Sequence, residues 1–286
     1  MSLVDDVLSQ IKDNKTNAEN GNINCIPFGF DEVRYMYPGT RKGSIIIYTG
    51  ATKASKSQIT TYLQLICPIE YAYFHPEQLK IHNIYFSMEE TKGDIMKRIM
   101  SHYLFKWYDI RISNDDLDSC IAEMPLSNEI IEIIESDKMQ SILRFYEECI
   151  DFYDDIHTTI GQDKIIRKYF DDHGHIEYLP DTFIDENGIE RHKIDKYVPD
   201  DPLEYVQIFS DHIGLFNPNK TQGTLYTAIE DWSNAAVRYK NLYNAIVVGV
   251  QQQVDGELTS VSAQKLGNVT ASKSGLKEKL KFCTTL

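Results

Sequence analysis

The chain has 286 residues, of which 42% are hydrophobic and 25% are charged. This size and composition suit one large α/β domain, or two small ones, with a substantial core. Acidic residues number 43 against 29 Lys and Arg, and the formal net charge of −14 at pH 7 disfavours nonspecific adhesion to nucleic acid, although it does not exclude a local basic path.

The cysteines and the N-terminal segment indicate the cellular compartment in which the protein is expected. The five cysteines are scattered, odd in number and never spaced as Cys-x-x-Cys, which favours a reducing compartment over disulfides or structural zinc. The segment MSLVDDVLSQIKDNK is charged and amphipathic, unlike a secretory signal. Because no apolar run approaches the roughly 18 residues of a membrane span, we expect a cytoplasmic protein without a membrane partner.

The first predicted element is an amphipathic helix over residues 3–13, followed by a polar linker, DNKTNAENGNIN, so that residues 1–24 form a helix and linker. Such a helix packs either on its own domain or on a neighbouring subunit. Its apolar face consists of Leu3, Val4, Val7, Leu8 and Ile11.

Strands and helices then alternate through residues 25–254, which predicts an α/β domain with a mostly parallel, doubly wound sheet and helices on both faces. The segment 178–202 is polar and contains DENG, so it is expected to be a hairpin insertion, and 255–286 is a Ser/Lys/Thr-rich tail. Strands are predicted over IIIYTG (45–50), NIYF (83–86), EYVQIFSD (204–211) and AIVVGVQQQ (245–253). Helices are predicted over 56–65, 92–107, much of 113–150, and 224–244.

The loop GATKASKS, which joins the strand 45–50 to the next helix, fits the phosphate-binding pattern G-x-x-x-x-G-K-[ST] except that Ser55 replaces the second glycine. Backbone N–H groups before a helix bind anions, and we expect Lys56 to reach the β- and γ-phosphates and Ser57 to hold Mg²⁺. A Cβ at position 55 costs about 1 kcal/mol in the required conformation, which weakens binding rather than abolishing it. The alternative is a chance loop. The predicted nucleotide-binding residues are Gly50, Ala51, Thr52, Lys53, Ala54, Ser55, Lys56, Ser57 and Gln58.

Polar residues also follow the other predicted strands, at the sheet edge where ligands bind. Glu89 and Glu90 end YFSMEE, where an acid can activate water or simply favour the next helix N-terminus. Asp211 has the form of a Walker B acid that holds Mg²⁺, or it is a surface residue, and His212 beside it is as readily structural as functional. The strand 245–253 ends in glutamines, which sense the γ-phosphate or begin a loop. No histidine, including the HGH at 173–175, has partners at zinc-ligand spacing.

Taken in order from residue 28 to residue 253, these elements resemble the RecA-type ATPase domain of a DnaB-like, phage-like replicative helicase. FGFDEVRYMYPGTRKGSIIIYTG resembles the family's approach to its first strand, and IYFSMEETKGDIMKRIM resembles FFSLEM…R. YVQIFSDHIGLF stands where the family has DYLQL, and WSNAAVRYKNLYNAIVVGVQQQ resembles its strand ending in glutamine. The resemblance implies that Glu89 is the catalytic base, Arg98 a supporting residue, Asp211 the metal-holding acid and Gln252 the γ-phosphate sensor.

The resemblance further implies ATP and Mg²⁺ as cofactors, single-stranded DNA at the centre of a homo-hexameric ring, and a primase or a loader as partner. It implies that residues 3–13 pack on the neighbouring subunit, that DNA-contacting loops follow Gln253, and that a phage-encoded chain works in the bacterial host cytoplasm. Four features depart from the family: Ser55, the insertion 178–202, the lack of an N-terminal helical domain, and the lack of a match to the arginine finger. A RecA/KaiC-type recombination or regulatory ATPase and a non-hydrolysing scaffold subunit are the alternatives.

Overall fold

The computed structural model of the chain describes residues 3–30, 34–50, 55–184, 188–219 and 223–252. Its strands are β1 (Ile26–Pro27), β2 (Gly39–Thr40), β3 (Ile45–Gly50), β4 (Lys80–Ser87), β5 (Ile150–Tyr153), β6 (Gly174–Ile184), β7 (Glu190–Pro199), β8 (Glu204–Asp211) and β9 (Ile246–Gln252). Its helices are α1 (Leu3–Glu19), α2 (three consecutive segments, Lys56–Thr60, Thr61–Ile66 and Cys67–Phe74), α3 (Lys92–Tyr108), α4 (Asn114–Leu117), α5 (Asn128–Glu135), α6 (Asp137–Cys149), α7 (Thr159–Asp172) and α8 (Leu225–Tyr243), with a short 3₁₀ turn at Ile213–Leu215.

The centre of the fold is a five-stranded sheet in the order β3-β9-β8-β4-β5, in which every neighbouring pair is parallel. Alternate side chains of these apolar strands enter two separate cores. Ile46 and Tyr85 pack with α2, α3 and α6 on one face, whereas Ile45 and Ile84 pack with α7 and α8 on the other. The prediction of an α/β fold with a parallel sheet covered on both faces is therefore confirmed.

The helix after the phosphate loop is longer than predicted. We expected it to end at residue 65, before Pro68, but α2 continues to Phe74 by way of a π-helical segment, in which the N–H of Cys67 bonds to the carbonyl of Tyr62. Pro68 has no N–H to give to the carbonyl of Gln64, four residues earlier. That carbonyl instead accepts a hydrogen bond from Gln207 Nε2, at 2.7 Å, so the proline is tolerated.

The N-terminal helix also extends beyond its predicted end. Residues 14–19 were assigned to a linker, but α1 continues to Glu19, where an i,i+4 ion pair joins Lys15 to Glu19. No described residue of α1 is buried, and the apolar face predicted from the sequence is exposed. Intramolecular packing of that face on the described domain is therefore not observed.

The predicted insertion is a hairpin, although its strands β6 and β7 run from residue 174 to 199 rather than over 178–202. Gly188, the described residue of the DENG sequence, lies between the two strands and has φ 76°. Every described side chain from Glu177 to Lys196 is exposed, so the distal part of the hairpin projects from the domain.

Two elements were not predicted from the sequence: one adds an edge strand to the sheet, and the other is a helix that packs on one of its faces. The four-residue strand β5 pairs with β4 at the sheet edge. Helix α7 starts after Thr158, whose side chain accepts the N–H of Gly161, and it buries Ile166 and Phe170 in the second core. Through β5 and α7, residues 150–172 are part of the main domain.

Candidate nucleotide-binding and catalytic site

The carboxyl ends of four adjacent strands meet at one edge of the sheet. In the strand register Gly50 at the end of β3 is opposite Gln252 of β9, Val250 of β9 is opposite Asp211, and Asp211 is opposite Ser87 at the end of β4. The acids Glu89 and Glu90 follow the end of β4 after one residue, Met88. The structure therefore brings the predicted phosphate loop, metal acid, catalytic acid and sensing glutamine to the same edge, which is where ligands bind in open α/β sheets.

The described part of the phosphate loop has the geometry that the glycine pattern demands. Residues 51–54 lie outside the described part of the chain. Ser55 has φ 55° and ψ 26°, in the left-handed region that favours glycine, and its side chain makes no capping hydrogen bond. Lys56, Ser57 and Gln58 form the first turn of α2, so backbone N–H groups and the positive end of the helix dipole face the loop. This arrangement suits a phosphate group.

Asp211 is a buried carboxylate with an unused oxygen. The residue is 4% exposed, and its Oδ2 accepts a hydrogen bond from the Tyr85 hydroxyl at 3.2 Å. Among the described residues, Oδ1 has no hydrogen-bond partner. An orphaned carboxylate oxygen beside a phosphate loop fits Mg²⁺, which takes one or two protein oxygens and completes its shell with phosphate and water. The described residues contain no cluster of three or more His, Cys, Asp or Glu side chains suited to a metal.

Burial dominates the titration of this carboxyl. It raises the pKa of Asp211 to about 6, and the charges of Glu90 and Glu89 act in the same direction, while the Tyr85 hydrogen bond and Arg98 oppose them. The folded protein therefore binds this proton more tightly than the unfolded chain does, so in the metal-free protein stability falls as pH rises from about 4 to about 6. A shift of about 2 units corresponds to roughly 3 kcal/mol. A nearby cation would remove this cost.

The two acids after β4 have different partners. Arg98 of α3 forms a two-pronged ion pair with Glu90: Nη1 donates to Oε2 at 2.9 Å and Nη2 pairs with Oε1. Nη1 also donates to Thr61 Oγ1 of α2 at 3.3 Å. The carboxylate that Arg98 contacts is thus Glu90, and its predicted role as a supporting residue stays a prediction. With both Glu90 oxygens occupied by a guanidinium, Glu90 is poorly placed to accept a proton from water.

Glu89 lies against His212, a contact that the sequence did not predict. Glu89 Oε1 is 3.2 Å from His212 Nε2, and the Glu89 side chain is 44% exposed. Burial lowers the pKa of His212, Glu89 opposes this effect, and the charge of Lys56 reinforces it. In the sequence, the only indication that His212 lies at the site is that it follows Asp211 at the end of a strand.

The glutamines occupy the expected strand end. Gln251 is buried and Gln252 is half-buried. Gln252 is paired in register with Gly50, the first residue of the phosphate loop. Its role as γ-phosphate sensor stays a prediction, and the third glutamine and the predicted DNA-contacting loops lie outside the described residues.

Comparison with solved structures identifies the fold. No protein-family profile matches the sequence, and no curated protein matches it. A solved ATPase domain matches with a TM-score of 0.60 at 13% identity, covering 91% of this chain and 75% of that one. The chain has a RecA-like ATPase fold. A DnaB-like replicative helicase, solved in a study of its interactions with primase, matches with a TM-score of 0.59 at 14% identity and covers 91% of this chain.

The RecA-like domain spans 51% of that helicase, about half its length. At these identities the likeness establishes the fold, and it confirms the fold that the sequence resemblance implied. The roles assigned to Glu89, Arg98, Asp211, Gln252 and the phosphate loop stay predictions that the geometry accommodates. In the described part of this domain, no helix is both long and apolar enough to cross a membrane.

Proposed function

We propose that this RecA-like domain is the ATP-hydrolysing motor of a replicative DNA helicase, which couples hydrolysis to translocation on single-stranded DNA. The observation that carries the proposal is the convergence of the phosphate loop, Asp211, Glu89 and Gln252 at one sheet edge, in a fold shared with a DnaB-like helicase. The proposed cofactors are ATP and Mg²⁺.

Each residue has a chemical task in this reaction. Lys56 neutralises charge on the β- and γ-phosphates, and Ser57 with Asp211 would hold Mg²⁺, which shields the phosphate oxygens when bound. Glu89 takes a proton from the water that attacks the γ-phosphorus. The bond from that phosphorus to the β–γ bridging oxygen breaks, and ADP leaves with phosphate. Gln252, next to Gly50, reports the loss of the γ-phosphate to the segment that follows it.

Glu89 is favoured over Glu90 as the base by the contacts of the two carboxylates. Both oxygens of Glu90 accept hydrogen bonds from Arg98, which restricts the access of water to them. Glu89 has one oxygen against a histidine and keeps substantial exposure. A base must reach a water molecule, and this requirement selects the more accessible acid.

The exposed apolar face of the N-terminal helix is an argument for the proposed assembly into a ring. Leu3 is 79% and Ile11 57% exposed on an apolar face that the described domain does not cover. Our proposal places this face on a neighbouring copy in a homo-hexamer, with DNA in the central channel. The DnaB-like helicase of the comparison interacts with primase, so we also propose a primase or a loader as partner.

Nucleotide binding and turnover test the proposal in sequence. A fluorescent ATP analogue is titrated with Mg²⁺ into the wild type and into Lys56→Ala, with circular dichroism to verify folding. Binding that is lost in the variant supports the nucleotide site. Hydrolysis stimulated by single-stranded DNA, and unwinding of a forked duplex, support the motor. Binding equal in the two proteins would refute the assignment of the loop.

One observation favours a second candidate. Ser55 departs from the phosphate-loop pattern and lies in a left-handed conformation that costs about 1 kcal/mol for a residue with a Cβ, which favours a subunit with a weakened nucleotide site. A non-hydrolysing scaffold subunit would bind ATP but show no DNA-stimulated hydrolysis. A RecA/KaiC-type recombination ATPase would hydrolyse ATP and exchange strands without unwinding a fork.

A further inference from the structure

His212 and Gly214 form a turn that presents one ring nitrogen to Glu89. The N–H of Gly214 donates to His212 Nδ1 at 2.9 Å, so Nδ1 is an acceptor. In the neutral ring the proton is then on Nε2. Nε2 lies 3.2 Å from Glu89 Oε1, and the imidazole therefore donates a hydrogen bond to the carboxylate.

The position of the ring is set by the backbone. His212 is 9% exposed, and a Cβ built on Gly214 would lie 2.6 Å from His212 Cε1 and 2.9 Å from Nδ1. Real Cβ atoms essentially never make contacts that short, so the ring lies where a side chain at position 214 would collide with it. The hydrogen bond from the Gly214 N–H to His212 is the cap of the 3₁₀ turn that contains Gly214. Rotation of the ring would break its hydrogen bond with Gly214 and its contact with Glu89, and these two contacts favour the orientation in which Nε2 faces Glu89.

We propose that His212 is a positioning residue for hydrolysis, which holds Glu89 through Oε1 and leaves Oε2 to accept the proton of the attacking water. This inference rests on the proposed function, in which Glu89 is the base. The contact with His212 is made by Oε1 of a side chain that remains 44% exposed, whereas both oxygens of Glu90 are engaged by Arg98. Restricting Glu89 in this way reduces the orientations that the base must search before each turnover.

The first test compares kcat for ATP with the affinity for Mg²⁺-ATP in the wild type and in variants. His212→Ala is expected to lower kcat by roughly 10- to 100-fold, the effect of a misplaced catalytic group, with little change in affinity. His212→Gln, whose amide N–H can donate to Glu89, should recover part of the loss. Gly214→Ala keeps the imidazole but displaces it, so it should also lower kcat.

A matched control separates positioning from general destabilisation. His82 on β4 also pairs with a carboxylate, with Nε2 3.1 Å from Asp151 Oδ2, and its side chain is 16% exposed. It lies near the opposite end of the strand that leads to Glu89. His82→Ala should therefore leave kcat near the wild-type value even where it lowers the melting temperature.

The second test asks whether His212 acts through Glu89. In a Glu89→Gln background, His212→Ala should reduce the residual single-turnover rate no further, because the carboxylate it positions is already absent. An unchanged or increased kcat in His212→Ala, or independent losses in the double variant, would overturn the inference while wild-type hydrolysis still upheld the motor. A folded wild type that binds but does not hydrolyse Mg²⁺-ATP, with and without single-stranded DNA, would refute the proposed hydrolysis and this inference together.

Discussion

Replacing Ser55 by glycine tests how the departure from the phosphate-loop pattern affects nucleotide binding. Ser55 has φ 55° and ψ 26°, where a Cβ costs about 1 kcal/mol relative to glycine. The strain lowers the population of the loop conformation that binds nucleotide, relative to conformations that do not bind. The apparent affinity for ATP falls in proportion to that population. Because about 1.4 kcal/mol is a tenfold change, Ser55→Gly should tighten Mg²⁺-ATP binding by about fivefold.

Stability is the less informative readout of this substitution. Glycine gives the unfolded chain more freedom, which offsets about 0.5–1 kcal/mol of the strain relieved in the folded state. We therefore expect the free energy of unfolding to change little, and a titration with a fluorescent ATP analogue to show the effect.

Asp109 provides the control for this titration. It is an exposed residue with nearly the same backbone conformation, φ 56° and ψ 28°, at the end of α3. Helix α3 starts just after Glu90 and runs about 25 Å at roughly 1.5 Å per residue, so its end is remote from the sheet edge. Asp109→Gly should leave the affinity unchanged. An affinity that is unchanged or weaker in Ser55→Gly would show that the strain at position 55 does not limit nucleotide binding.

The remaining predictions concern the charged residues of the site. Lys56→Ala should weaken Mg²⁺-ATP binding by roughly 10- to 100-fold, since a hydrogen bond to a charged group contributes about 1.5–3 kcal/mol; equilibrium titration measures this, and equal affinity would exclude the lysine from the site. Asp211→Asn should stop Mg²⁺-dependent hydrolysis yet raise the melting temperature of the metal-free protein more at a pH of about 7.5 than at about 4, because the cost of the buried carboxylate develops as pH rises from about 4 to about 6 and is complete at about 7.5. A pH-independent difference would contradict that account. Arg98→Ala should destabilise the fold by about 1–3 kcal/mol, because Glu90 loses its partner. Arg98→Lys should destabilise it by less, because lysine keeps the charge although it cannot make the two-pronged contact. Urea unfolding measures both losses, and equal losses would show that the two-pronged geometry is unimportant.

The parts of the fold that the sequence predicted are those whose signals are local. The strand β8 coincides with the apolar run 204–211, and α3 begins at Lys92, where Thr91 and Asp94 form a capping box. The common edge of the strands follows from parallel pairing, so the sequence predicts that Asp211 and Glu89 lie at the same edge. Short or weakly patterned elements gave no such signal, as with the four-residue β5.

The errors arose where distant residues decide the local structure. Pro68 predicted a helix end, but Gln207, 143 positions beyond Gln64 in sequence, satisfies the Gln64 carbonyl that the proline leaves unbonded. The motif predicted only that Arg98 is a supporting residue; its partner, Glu90, depends on how α3 packs beside β4, which the motif does not specify. His212 was ambiguous in sequence because its role depends on the space beside Gly214.

The same long-range contacts explain how a helix N-terminus is held in register with acids from other strands. Gln64 of α2 donates to the Tyr48 hydroxyl of β3 at 2.8 Å, and its carbonyl accepts from Gln207 of β8. Gln207 in turn donates to Asn83 of β4 at 3.1 Å, and Gln64, Asn83 and Gln207 are fully buried.

Buried amides of this kind are costly unless they are paired, so sliding α2 along the sheet would break several hydrogen bonds at once. An apolar interface would tolerate a shift of that kind better. The chain of amides starts at the strand that carries the phosphate loop and ends at the strand that precedes Glu89. It therefore fixes Lys56 and Ser57 relative to Asp211 and Glu89, which is the spatial relation that nucleotide hydrolysis at this edge requires.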